Sequence, residues 1–319
     1  MDTKRKSLPE VIFFLLFAAL AVRRNDAQAS AAAVPPSQKP DSELAMEACT
    51  AGSAKECTRA GILFHEGKVV SRDLPLATTL FRRACDGGDG GGCYELGYLY
   101  YFGEGVAKDP EQSAALFEKA CNAGAFGACS DAGMQYRDGS GVPRDQMHAM
   151  ELLTRACDNK ISTGCYNLGL GYDEGIGVRK DYVQAATIYR KGCDLGDHTA
   201  CLNLAVLYVQ GNGVHKDTGQ AVELMQSACD NGETLACSNL GHIYGRAEGV
   251  PRDYTKAALY WGRACDARDR MGEACYNLGV IYERGLGAPK DKQQALVLYQ
   301  KACDAEYKDG CKEVQHAKP

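Results

Sequence analysis

The sixteen cysteines are the residues of this 319-residue chain whose type and spacing most directly imply chemistry. They fall in pairs: Cys49 and Cys57, Cys85 and Cys93, Cys121 and Cys129, Cys157 and Cys165, Cys193 and Cys201, Cys229 and Cys237, Cys265 and Cys275, Cys303 and Cys311. Partners lie 8 residues apart, or 10 in the seventh pair, and successive pairs begin 36 residues apart save for one two-residue insertion. No cysteine is left over, so the simplest chemistry is eight local disulfides in a chain that lives where thiols oxidise. Zinc sites use tighter pairs, and no histidine holds a matching repeat position, so neither a metal nor another cofactor is expected. Closing a loop of about nine residues restricts the unfolded chain by roughly 2.5 kcal/mol in the entropy model. The pairs therefore read as structural staples rather than redox-active thiols.

A fixed period of this size means a repeat array. Positions two, five and nine after each second cysteine share one helical face. They carry Glu95, Tyr98 and Phe102, then Asp131, Met134 and Asp138, then Asn167, Leu170 and Glu174. Further along come Asn203, Val206 and Gln210, then Asn239, His242 and Arg246, then Asn277, Val280 and Arg284. Four asparagines in register can donate to and accept from an extended peptide or a glycan-peptide. The face passes from acidic residues (Glu95, Asp131, Asp138, Glu174) to basic ones (Arg246, Arg284), which would orient a charged ligand. These residues form the candidate ligand groove.

The elements that must position them follow from one unit. From Cys93 to Tyr100 apolar residues recur at helical spacing, Gly103 to Val106 breaks the pattern, and Lys108-Asp109-Pro110 restarts it. The unit is helix, turn, helix. Asp73, Asp109, Asp145, Asp181, Asp217, Asp253 and Asp291 recur sixteen residues after the second cysteine and read as N-caps of the second helix. Small residues at Gly61, Gly97, Gly133, Gly169, Ala205, Gly241 and Gly279 imply close approach of the paired helix. An aromatic column (Phe64, Tyr100, Tyr136, Tyr172, Tyr208, Tyr244, Tyr282) and an alanine-rich column (Ala77, Ser113, Ala149, Ala185, Ala221, Ala257, Ala295) are expected in the core. The fold class is all-α, an α-solenoid of about seven helix-turn-helix repeats with one disulfide each, opened by a helix near 41–51.

The chain start adds location. Lys4, Arg5 and Lys6 precede an apolar run from Val11 to Val22, followed by Ala27-Gln28-Ala29. This has the form of a secretory signal peptide over 1–29 cut after Ala29, with an Ala/Pro-rich linker over 30–40 and the array over 41–319. An uncleaved membrane anchor is the alternative. Net charge is −5 with no basic run in the repeats, which argues against nucleic acid as a partner. A secreted or periplasmic monomer binding a peptide, a protein or a peptidoglycan fragment is the leading expectation.

The motifs L-G-x-x-Y, G-x-G-V-x-x-D and a terminal A-C-[DN] resemble the Sel-one-like repeats, and the C-x7-C in every unit resembles the Helicobacter cysteine-rich protein family, over residues 41 to 311. The resemblance implies a secreted or periplasmic helical-repeat protein with a disulfide per repeat. Several members are described as penicillin-binding proteins or slow β-lactamases, which makes a β-lactam a possible ligand and β-lactam hydrolysis the alternative function. The residues do not show its usual machinery: no serine has lysine three residues on, Ser130-Asp131 is followed by Ala132, and no H-x-H is present. No catalytic residue is assigned.

Overall fold

The computed structural model describes residues 40–267 and 271–317. The signal segment and linker expected over 1–40 lie outside the described residues except for Pro40. Sixteen helices follow, and among the described residues there is no strand. The opening helix is α1 (Asp41–Thr50). Seven pairs come next: α2 (Ala54–Glu66) with α3 (Leu74–Asp86), α4 (Gly90–Phe102) with α5 (Pro110–Asn122), α6 (Phe126–Asp138) with α7 (Gln146–Asp158), and α8 (Ser162–Glu174) with α9 (Tyr182–Asp194). They continue as α10 (His198–Gln210) with α11 (Thr218–Asp230), α12 (Thr234–Arg246) with α13 (Tyr254–Asp266), and α14 (Gly272–Arg284) with α15 (Lys292–Asp304). The closing helix α16 (Lys308–His316) completes an α-solenoid. No helix among the described residues is long and apolar enough to cross a membrane.

All eight expected disulfides form, with Cα–Cα distances of 4.4 to 4.8 Å. Each ties the last turn of an odd helix to the first turn of the next even one, as Cys85 of α3 is tied to Cys93 of α4. Gly88 lies in this corner at φ 86° and reverses the chain direction in a conformation that side chains disfavour. The other end of each unit is closed by its aspartate. The Asp109 carboxylate accepts from Gln112 N–H at 3.0 Å, and the Asp109 N–H donates to the Tyr100 carbonyl at 2.9 Å. The same two bonds recur at the other six aspartates, which confirms the caps.

Packing between the helices of a pair depends on the small-residue column. A Cβ added at Gly97 would lie 2.8 Å from the Phe117 ring, at Gly169 2.6 Å from Tyr189, at Gly241 2.4 Å from Trp261 and at Gly279 2.6 Å from Tyr299. Each large side chain of the odd helix thus fills the hole that a missing Cβ leaves in the even helix. The one alanine of this column, Ala205, belongs to the unit whose odd helix offers the flexible Met225, and both are buried. The alanine-rich column is buried throughout, as expected. The aromatic column differs from expectation, because all seven members are only partly buried, among them Tyr100, Tyr136 and Tyr208. The hydroxyls of these three reach the odd helix of the preceding unit, where Tyr136 donates to Glu118 at 2.7 Å and Tyr100 accepts from Arg82 at 2.9 Å. Burial and Glu118 push the Tyr136 hydroxyl up to about 12.

The hole at Gly169 predicts that Gly169→Ala costs about 1–3 kcal/mol of stability by displacing the Tyr189 ring. Gly196→Ser, whose Cβ would meet nothing within 4 Å, strains only its own backbone at φ 89°. Urea denaturation of the two variants should show the larger loss at Gly169.

Candidate functional site

Each helix packs on its neighbours in sequence, and even helices of successive units also touch one another, as α2 with α4, α6 with α8, and α8 with α10. No two odd helices approach to the same degree. The candidate groove residues all belong to even helices; those of α6, α8 and α10 lie on adjoining elements, while α4 and α6, α10 and α12, and α12 and α14 do not approach to that degree.

The chemistry along this face is uneven. In α4, Tyr94 and Tyr98 place their hydroxyls 3.0 Å apart, and Tyr98 donates to Asp131 of α6 at 3.0 Å. Burial raises the pKa of Asp131, an effect the two tyrosine hydroxyls only partly offset. Burial likewise raises that of Glu95. Neither carboxylate has a cation within 4 Å among the described residues. Around them stands an aromatic group. The Tyr98 ring stacks on Phe102 at 5.9 Å and meets Tyr94 and Phe117 edge-on at 4.8 and 5.1 Å. A cavity of about 240 Å³ opens between Tyr98, Tyr101 and Phe117 on one side and Asp131, Met134 and Asp138 on the other.

The asparagines do not behave alike. Asn167 is buried and its amide is used on both sides: Nδ2 donates to the Thr163 carbonyl at 2.9 Å and Oδ1 accepts from Arg137 at 3.1 Å. Asn203 adjoins the Tyr189 hydroxyl. Asn239 lines a cavity of about 210 Å³ with Val206, Met225 and His242. The Asn277 Nδ2 is buried with no partner. Glu174, Arg246 and Arg284 are exposed. Arg246 stands 3.8 Å from Glu248, and Arg284 has no carboxylate within 4 Å among the described residues. Sequence reasoning missed Arg137, which grips both oxygens of Asp138 at 2.7 and 3.0 Å and so neutralises part of the acidic end. It also missed Tyr94, although a tyrosine directly after the second cysteine recurs at Tyr166 and Tyr276.

Among the described residues no serine hydroxyl is hydrogen-bonded to a lysine or histidine, and no group of three His, Cys, Asp or Glu is placed to hold a metal. No step of β-lactam hydrolysis is assigned to this chain.

A stack of helix pairs, each corner closed by a disulfide, defines a helical-repeat scaffold, the class of protein that mediates protein–protein contacts. The chain belongs to the Sel1 repeat family, whose model matches seven times, at residues 57–89, 91–124, 127–160, 162–197, 198–233, 234–269 and 272–307. It is similar to c5321, a protective antigen of uropathogenic Escherichia coli strains with an SLR fold (29% identity, TM-score 0.80, 86% of this chain and 58% of that one). The chain therefore spans little more than half the length of that antigen. A Sel1 repeat protein from Oxalobacter formigenes is similar at 26% identity and TM-score 0.72, over 87% of this chain and 80% of that one. Cysteine rich protein B of Helicobacter pylori matches at 32% identity and TM-score 0.35, over 42% of this chain and 96% of its own length. Comparison with curated proteins gave no match.

The raised Asp131 pKa has a stability consequence. A carboxyl that ionises less readily folded than unfolded weakens folding at neutral pH; the penalty is absent below about pH 4 and grows as pH rises through the unfolded pKa. Asp131→Asn, which keeps an acceptor for Tyr98, should raise the melting temperature at pH 7 by roughly 2 °C or more. Melting curves of the two proteins should converge near pH 3.

Proposed function

We propose that this chain is a secreted or periplasmic scaffold that binds an extended segment of a partner protein, a peptide or a cell-wall fragment along its even-helix face. The observation that carries the reading is a set of half-buried polar groups in register on that face whose needs are unmet: Glu95 and Asp131 have no cation within 4 Å among the described residues, Asp131 being bonded only by tyrosine hydroxyls, and the Asn277 Nδ2 has no hydrogen-bond partner. Such groups cost stability in the free protein and are satisfied by a bound ligand. The tighter approach of even helices supports this face as the inner, concave side of the stack, the surface on which helical-repeat proteins present extended binding sites. The disulfides support location, since eight staples in one chain fit an oxidising, extracytoplasmic compartment. The expected signal segment agrees with them.

Charge gives the groove a direction. Glu95, Asp131 and Glu174 stand toward its beginning and Arg284 toward its end, each without an opposite charge within 4 Å among the described residues. A ligand with one basic and one acidic region would therefore bind in a single orientation. The test is affinity capture from extracellular and cell-wall extract by the oxidised chain and by the Arg246→Glu/Arg284→Glu double variant. The double variant should bind the retained partner at least tenfold more weakly; equal retention contradicts the groove.

A further inference from the structure

We infer that the cavity between α4 and α6 is a subsite for one lysine side chain of the bound partner, with Asp131 taking the ammonium and the aromatic side chains taking the stem. The inference rests on the groove reading and deepens it by naming the side chain recognised at one position. At about 240 Å³ the cavity is smaller than the pockets of about 300–1,000 Å³ that enclose drug-sized ligands, and it suits a single side chain. Its walls are chemically divided. Tyr98, Tyr101 and Phe117 present rings, whose faces attract a cation and whose edges pack on methylenes. Across from them Asp131 is a carboxylate whose only partners are tyrosine hydroxyls, so its charge has no counterpart among the described residues. Glu95 adds to the same field, acting on the Tyr98 hydroxyl from the preceding turn.

A second, independent feature is Gln135. It lines the cavity at 4% exposure and its Oε1 has no hydrogen-bond partner, while its Nε2 donates to Ser113 at 3.3 Å. An unpaired amide oxygen beside the cavity floor adds negative potential where a cation would rest. Gly127 adjoins the Tyr94 hydroxyl at 3.6 Å from an added Cβ, which leaves that end of the cluster uncrowded.

The hydrogen-bonding inventory selects an ammonium over a guanidinium. A guanidinium binds best to a carboxylate with both oxygens free for a parallel pair of bonds. Asp138 has none to offer, since Arg137 grips both of its oxygens, and Asp131 has no free pair, since its Oδ2 accepts from Tyr98 and Tyr94 also bonds to it. A compact point charge that needs one carboxylate oxygen and a ring face fits what remains.

The experiment is selection of a random dodecamer peptide library on the oxidised protein, followed by synthesis of the enriched peptides with each lysine replaced by norleucine, which keeps the stem and removes the charge. The inference expects enriched peptides to contain a lysine whose replacement weakens binding at least tenfold. Asp131→Asn should weaken the lysine peptide by a similar factor and leave the norleucine peptide unaffected, the signature of a coupled pair. Glu95→Gln should weaken the lysine peptide less, and circular dichroism melting of both variants confirms the fold. Enriched peptides that bind without lysine, or that ignore Asp131→Asn while Arg246→Glu/Arg284→Glu weakens them, would overturn the subsite and leave the groove intact. A library that yields no enriched peptide would overturn the subsite, and the groove would then be decided by the affinity capture alone.

Discussion

The constraint on which the rest of the structure depends is the disulfide at every corner between an odd helix and the even helix that follows. A two-helix unit cannot bury its apolar face alone, and its stability comes from the neighbour on either side. The corner disulfide fixes how those neighbours meet. It holds the last turn of α3 and the first turn of α4 at 4.4 Å between Cα atoms, and the seven further corners at 4.4 to 4.8 Å. With the corners fixed, the aspartate caps fix the opposite ends, and each helix has one phase available to it. Residues 36 apart then face the same way, which is what turns a repeated sequence position into a repeated surface position.

Within that frame the tight fit of helix against helix is a matter of holes and knobs. Gly97 receives Phe117, Gly169 receives Tyr189 and Gly241 receives Trp261, so the large side chains of odd helices enter even helices where a Cβ is missing. This draws the buried aromatic mass toward the interior of each pair and leaves the even helices' outer positions to polar groups. The groups stranded there, Asp131, Glu95 and Asn277, weaken the free protein, a pattern that binding surfaces share with active sites.

The sequence made the repeat, the helices, the disulfide pairs and the caps legible because each is a local rule written eight or seven times over. Asp109 needs only the three residues after it to act as a cap. What stayed hidden depends on the identity of a neighbour in space. Helical spacing places Asn167 on the groove face but says nothing of Arg137, 30 residues earlier, which engages its oxygen. It places Tyr100 among apolar residues but not its hydroxyl against Arg82. The large residues opposite the glycines were missed for a similar reason: Phe, Leu, Tyr, Met and Trp alternate in that column, so volume is kept while chemical type is not. The signal segment is legible only in sequence, and its agreement with the disulfides rests on redox chemistry rather than on geometry.

The central claim is that ligand is held by the even helices of an oxidised array. Amide hydrogen exchange of the oxidised chain with and without saturating bound partner tests it most directly, because it reads every helix at once. The account predicts slowed exchange in α4, α6, α8, α10, α12 and α14, with the odd helices α5, α7, α9, α11 and α13 little changed. Slowing confined to the odd helices, or to the loops that carry the capping aspartates, would contradict it.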